Sequence, residues 1–186
     1  MNLQRTLNAT SEAVSITDVR TQLRITGTDD DDALRFFISA IREQTESYLG
    51  RTLITSTWEY KLDAFAQEIA LPMAPVQSIT SVAYVDDDGA SQTLASSGYQ
   101  FDRRGRLAPS YDNDWPDTRD QFDAVTITYV AGETHAGNVK EDIKLAMLLW
   151  IGACDINREN DVIGTVINPI PNGAQNILAP LRNWKL

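Results

Sequence analysis

The spacing of the hydrophobic residues changes twice along the chain, and this limits the folds it can adopt. From residue 34 to residue 49, apolar side chains recur every three or four positions, which is the spacing of one helix face. In residues 58–62 and 125–129 they alternate with polar side chains, which is the spacing of β-strands. The helical spacing returns over residues 139–157. The sequence therefore predicts an α+β protein in which a β-rich segment, residues 52–132, is inserted between helices.

Three main helices are predicted to form the core. Ser15 can cap the first of them, and Asp18 supplies the reciprocal acidic partner of a capping box. The third helix, residues 139–157, is so apolar that we expect it to be buried on most sides. A short helix or turn over residues 176–184 is predicted near the end of the chain.

Four consecutive aspartates, residues 29–32, precede the second helix, which is predicted to end at Gly50. They lack the spacing and the glycine of a calcium-binding loop. One residue of Thr28 to Asp30 is instead expected to cap the helix, and the other acids interact favourably with the positive end of the helix dipole. We therefore interpret this run as a helix start and not as a cation site.

Five or six short strands are predicted in the inserted segment. Besides the two alternating runs, the candidates are residues 68–71, 78–85 and 99–102. We interpret Asp86-Asp87-Asp88-Gly89 as a hairpin turn, because Asp-Gly between strand-like segments is a strong hairpin signal.

The C-terminal segment, residues 161–186, is apolar, but prolines and glycines interrupt its periodicity. A segment of this composition is expected to pack against another apolar surface. The sequence allows two such surfaces, the core of the same chain and a neighbouring subunit. The whole chain, residues 1–186, is predicted to be a single domain. Residues 52–132 would be an insertion on the rim of its helical core.

Composition and motifs argue against several classes of function. The formal net charge of −10 disfavours a surface that holds nucleic acid through its phosphates. The sequence contains neither a phosphate-binding glycine motif nor a nucleophile elbow. His135 and Cys154 are the only residues of their types, too few for a zinc site, and Cys154 is interpreted as a buried, inert thiol. We therefore expect no cofactor and no metal, and no apolar run is long enough to cross a membrane.

Several short segments occur in an order shared with a known family. They are Ile16-Thr17-Asp18-Val19-Arg20, Tyr48-Leu49-Gly50-Arg51, Leu71-Pro72-Met73-Ala74-Pro75, Val125-Thr126-Ile127-Thr128-Tyr129 and Ile177-Leu178-Ala179-Pro180-Leu181. Each is weak alone, but together they resemble the head-tail connector (adaptor) proteins of tailed bacteriophages. The resemblance is to the group whose helical core carries a β insertion, and it extends over nearly all of the chain.

The resemblance implies a structural protein without enzymatic activity. It implies a homo-oligomeric ring of about twelve copies, docked on the portal protein and joined to a neck, stopper or tail protein. DNA would pass through the channel without specific binding. The protein would be made in the bacterial cytoplasm and reside at the head-tail interface of the virion. The C-terminal segment would contact neighbouring subunits or the portal through Ile177, Leu178, Pro180, Leu181 and Trp184.

Two alternatives to a connector are considered. One is a phage-encoded hydrolase that uses an acid pair from Asp112, Asp114 and Asp117, which requires a concave pocket that raises the pKa of one carboxyl. A solvated loop between strands is the other interpretation of these acids. The second alternative is a different neck or tail-completion protein of the same particle.

Overall fold

The computed structural model describes residues 2–156 and 170–183. The chain divides into two compact units. We call them the β unit, residues 1–10 and 54–134, and the helical unit, residues 11–53 and 135–186.

The predicted insertion, residues 52–132, covers nearly the same stretch as the β unit but omits its N-terminal residues. The α+β class, with helices and antiparallel sheets, is confirmed. The interpretation of residues 1–186 as one domain stays a prediction.

Within the described residues, the helical unit contains four α-helices. They are α1 (Ile16–Leu23), α2 (Asp31–Leu49), α3 (Glu141–Ile156) and α4 (Asn172–Leu178). The first three lie where the helical spacing predicted them, and α4 begins earlier than the predicted C-terminal helix or turn. A 3₁₀ turn, Ala179–Leu181, follows it directly. Residue 157 of the predicted third helix and residues 161–169 of the C-terminal segment lie outside the described residues.

The start of α1 has the predicted capping box. Ser15 Oγ accepts a hydrogen bond from the Asp18 N–H (3.1 Å), and the Asp18 carboxylate accepts one from the Ser15 N–H (2.9 Å). The box satisfies two backbone donors that the helix itself leaves without partners. Because the Ser15 hydroxyl and N–H both donate to it, the pKa of the Asp18 carboxyl is lowered.

The start of α2 differs in part from the prediction. Asp30 occupies the capping position, but its side chain makes no capping hydrogen bond, because its backbone (φ −92, ψ 5) is not in the extended conformation that capping side chains need. The next acid, Asp31, pairs instead with Arg20 of α1. The predicted end is confirmed, since Gly50 terminates α2 in the left-handed conformation (φ 65).

The β unit contains eight strands in two antiparallel sheets among its described residues. The main sheet has the order β1-β2-β8-β4-β5, and the small sheet has the order β3-β7-β6. The strands are β1 (Asn2–Leu7), β2 (Ser56–Leu62), β3 (Ile69–Ala70), β4 (Val76–Val85), β5 (Ser91–Thr93), β6 (Tyr99–Phe101), β7 (Arg106–Pro109) and β8 (Val125–Ala131). The sequence predicted β2, β3, β4, β6 and β8 directly, and β5 only as the strand after the hairpin turn at residues 86–89; it missed β1 and β7.

Alternation along β2 and β8 builds the core of the β unit. Trp58 pairs with Tyr129 and Tyr60 with Ile127 across the two strands, and all four side chains are buried. The Tyr129 hydroxyl donates a hydrogen bond to the Pro72 carbonyl (2.7 Å), and burial raises the pKa of this phenol. The predicted turn at residues 86–89 joins β4 to β5, with the Gly89 N–H donating to the Asp86 carbonyl (2.9 Å).

Candidate assembly surfaces

Helix α3 presents an apolar stripe to solvent. Its other sides pack in the core through Ile143, Ala146, Met147, Trp150 and Ile151. Leu145 (47% exposed), Leu149 (36%) and Ile156 (82%) remain accessible, and their spacing of four and seven places them on one line along the helix. The prediction that this helix is buried on most sides is therefore wrong for this line.

A groove of about 810 Å³ lies between α1 and the first half of α3; we call it the α1–α3 groove. Its apolar lining comes from Val14, Leu145 and Leu148. Three carboxylates line it as well, those of Asp18, Glu141 and Asp142, together with the polar or basic residues Thr21, Gln22, Arg24 and Lys144. The Lys144 ammonium is paired with Glu141 (2.7 Å). The groove is thus lined by three apolar side chains, two neutral polar residues, three acids and two bases.

The residues predicted as partner contacts near the C-terminus differ in accessibility. Leu178 is fully buried in the helical unit, so in this conformation it packs on its own core rather than on a partner. Ile177 and Leu181 are half-buried, Pro180 is exposed, and Trp184 lies outside the described residues. A partner-contact role for Ile177, Pro180 and Leu181 stays a prediction.

The residues after α4 are attached to the helical unit. The Asn183 N–H donates a hydrogen bond to the Leu49 carbonyl at the end of α2 (2.8 Å). The Arg182 guanidinium lies over the Tyr48 ring, 5.2 Å from its centre, in a cation–π contact. Of the two possibilities that the sequence left open for this segment, packing on its own core thus applies to Leu178 and its flanking residues.

A buried ion network fixes the helical unit, and the sequence analysis missed it. The Arg42 guanidinium donates to Glu46 one turn later (3.1 Å) and to Glu12 (2.7 Å). Glu46 also accepts the Leu53 N–H (2.8 Å). The i,i+4 spacing of Arg42 and Glu46 could have indicated their pair. Glu12 and Leu53 reach the network only through the tertiary fold, which no local pattern reveals.

The β unit carries most of the surplus negative charge. It has thirteen acidic and six basic residues, a formal charge of −7 out of the chain's −10. Asp87 and Asp88 are exposed in the β4–β5 turn, which we call the acidic hairpin (residues 86–89). The loop of residues 110–124 adds five aspartates, and it reaches the same end of the main sheet, where the Arg119 N–H donates to the Val85 carbonyl (3.0 Å).

Three of the six basic residues of the β unit lie in the β6–β7 turn, which we call the arginine turn (residues 102–106). The Val76 N–H donates to the Arg103 carbonyl (2.9 Å), which places this turn at the end of the main sheet where β4 begins, opposite the acidic hairpin. Arg103 is 63% exposed although it pairs with Glu133 (2.6 Å), and Arg106 pairs with Asp102 (2.8 Å). Arg104 is exposed. The acidic hairpin and the arginine turn therefore lie at opposite ends of β4, although Arg119 lies beside the hairpin and Asp102 belongs to the turn.

The three acids of the hydrolase hypothesis do not form a pocket. Asp112, Asp114 and Asp117 are all exposed. Their loop is fixed instead by an aromatic contact, in which Trp115 stacks on Phe65 with ring centres 4.6 Å apart and planes 5° from parallel. The structure thus contradicts the acid-pair hydrolase and agrees with a solvated loop.

Other candidate groups are isolated. Among the described residues, no three side chains of histidine, cysteine, aspartate or glutamate converge to hold a metal ion. Cys154 is half-buried, and burial raises the pKa of its thiol, while His135 is exposed. None of the helices in the described part of the chain is long and apolar enough to span a membrane.

Comparison with protein families finds one match that extends over nearly the whole chain. The model of a family described as head completion protein matches residues 12–183. No curated protein matches the chain.

Solved structures with the same fold come from gene transfer agent (GTA) particles. The neck of an empty GTA particle, computed with C6 symmetry, contains a chain with a TM-score of 0.79 and 21% identity. The neck of a native particle, computed with C12 symmetry, gives 0.77 and 21%, and the virion of a native particle gives 0.78 and 20%. Each match covers 100% of this chain and 97% of the other. At this identity the likeness shows a shared fold.

Proposed function

The chain belongs to the head completion protein family, and we propose that it is a structural subunit that joins head to tail in a tailed phage, prophage or gene transfer agent. Copies of the chain would form a ring of about twelve around a channel through which DNA passes. The observation that carries the proposal is the family match over residues 12–183 together with a fold shared over its full length with GTA neck chains. The family match thus confirms the connector family that was predicted from the sequence.

Ring formation is supported by the open stripe on α3. Exposed leucines and isoleucine in a line favour contact with another protein surface, because burying apolar area stabilises an interface by roughly 25 cal/mol per Å². A contact between two different surfaces of identical copies closes into a ring when the rotation per copy divides a full turn. One related neck was solved with C12 symmetry, which suits a ring of about twelve copies.

The charge distribution suits a channel component. DNA-binding surfaces are basic because lysine and arginine replace the counterions of the phosphates. A subunit with a net charge of −10 repels the DNA backbone on average, so DNA can move past it without being held. We propose that the protein lets DNA pass and does not bind it specifically.

The partners proposed for the ring are the portal protein on one side and a neck, stopper or tail protein on the other. The location proposed is the head-tail interface of the virion, after synthesis in the bacterial cytoplasm. An enzymatic role has no support in a structural family, and the exposure of Asp112, Asp114 and Asp117 argues against the hydrolase.

Binding to the portal separates this proposal from the second alternative, a different neck or tail-completion protein. The purified chain would be incubated with the portal protein of the same particle, and separately with its tail-tube protein. We expect a complex with the portal in light scattering. Binding to the tail tube alone would favour the alternative, and binding to neither, with no self-association, would overturn the connector proposal.

A further inference from the structure

The α1–α3 groove and the arginine turn have complementary chemistry, and we infer that the arginine turn of one copy docks in the α1–α3 groove of the next copy. This inference rests on the proposed function, because it names the contact by which neighbouring copies in the ring recognise each other. It commits to a second copy of this chain as the occupant of the groove.

The groove offers room, apolar surface and negative charge. Its volume of about 810 Å³ is open to solvent, and Leu145 of the α3 stripe continues from it along the helix. Glu141 and Asp142 stand exposed at its border in the first turn of α3. Two bases, Arg24 and Lys144, also line the groove, and Lys144 pairs with Glu141. The pKa of the Asp18 carboxyl is lowered because Ser15 donates hydrogen bonds to it, which favours its ionised form.

The arginine turn offers three guanidinium groups, of which that of Arg103 also pairs with Glu133 and that of Arg106 with Asp102. Arg103 and Arg104 are exposed at the tip between β6 and β7. Phe101, two residues earlier, is 41% exposed and adds apolar surface beside them. Guanidinium groups form strong paired hydrogen bonds with carboxylates, and their planar groups pack well on apolar side chains. In a unit with a formal charge of −7, this turn is where basic residues are concentrated.

The inferred contact also explains how the assembly would propagate. Each copy carries one turn, in the β unit, and one groove, in the helical unit, and would bind one neighbour through each. Such a head-to-tail contact generates rings or filaments.

A charge exchange tests the inference. One variant carries R103E and R104E on the turn, and the other carries E141K and D142K on the groove border. Each alone is expected to lose self-association roughly tenfold or more, because like charges then face each other. An equimolar mixture of the two should assemble, since the acidic turn of one variant fits the basic groove of the other. Sedimentation velocity at increasing protein concentration measures this, and circular dichroism verifies that each variant is folded.

The control is D87K with D88K, which changes the charge by the same amount as E141K with D142K but at the acidic hairpin. It should assemble like the wild type. Loss of assembly in this control with normal assembly of the groove variant would identify the acidic hairpin as the partner of the turn and overturn the inference. Assembly at the wild-type level in both charge variants would overturn the inferred contact but not the proposed ring. Failure of the wild type to assemble both alone and with the portal protein would instead refute the proposed ring.

Discussion

At the scale of the residue, the carboxylate of Glu46 connects three parts of the helical unit. It is fully buried, pairs with Arg42 and accepts the Leu53 N–H. Removing one member of a buried ion pair leaves the other charge desolvated, which is far more costly than losing a surface pair. The network therefore decides how firmly the segment before α1 and the segment after α2 are held.

We expect E46A to lower the free energy of unfolding by about 3–5 kcal/mol, because Arg42 and the Leu53 N–H lose their buried acceptor. Urea denaturation followed by circular dichroism measures this. The matched control is E43A, whose carboxylate lies 3.8 Å from Arg42 and is 49% exposed, and it should cost less than about 1 kcal/mol. Equal losses in the two variants would contradict the role given to burial.

Gly132 is required by its conformation and its surroundings. Its φ is +107, and a Cβ there would lie 2.6 Å from the Ile54 carbonyl carbon. G132A should therefore destabilise the protein by about 2–4 kcal/mol, since backbone atoms cannot move aside. In G137A the added Cβ meets nothing within 4 Å, so its free energy of unfolding should stay within about 0.5 kcal/mol of the wild type. Thermal unfolding of both variants checks the difference.

At the scale of the element, α1 is short and depends on its capping box. Its eight residues include a single fully buried side chain, Val19. Short helices are marginal on their own, so end effects contribute a large share of their stability. Because α1 forms one wall of the α1–α3 groove, its position also defines the candidate interface.

S15A should cost about 1 kcal/mol at neutral pH, because the cap and its pairing with Asp18 are both lost. The pKa of Asp18 is lowered in the folded state, so the stability from its ionised form is present above pH 3.8 and is lost as the pH falls through the folded pKa. The difference between S15A and the wild type should therefore shrink below pH 3.8. Denaturation at several pH values, with S11A as the control, tests this. A difference that grows on acidification would contradict it.

Local patterns predicted the elements whose signals are strong. The stripe of α2, the caps at Ser15 and Gly50, and the alternation in β2 and β8 are all visible in short windows of sequence. The missed strands lack such signals, since β1 is mostly exposed and β7 ends at Pro109. The three polar residues of β5 were expected to form a strand only because a hairpin turn precedes them. Their pairing comes from the sheet they join, which is a tertiary effect.

The candidate surfaces were harder to predict from the sequence than the helices and strands. The tail residues were proposed as contacts because of the family resemblance, yet Leu178 is buried, and α3, expected to be buried on most sides, exposes Leu145 and Leu149. Apolar character indicates that a residue will be covered, but only the packed neighbours decide whether the chain itself covers it. The groove combines residues of α1 and α3 that are far apart in sequence, so no local sequence motif indicates it.

At the scale of the whole molecule, the account depends on the α3 stripe being covered by another copy. L145D with L149D should abolish self-association while the chain stays folded, because both side chains are already accessible to water. F36D is the matched control, since Phe36 is 69% exposed on α2 outside the stripe. Light scattering should show assembly for the wild type and for F36D, but not for L145D with L149D. Loss of assembly in F36D would place the interface elsewhere.

The central claim is that copies of this chain close into a ring with an open channel. Electron microscopy of the purified protein, concentrated alone and with the portal protein, tests it most directly through the rotational symmetry of averaged end-on views. We expect closed rings of about twelve subunits around a central opening. Compact particles without a channel, or monomers under both conditions, would contradict the claim.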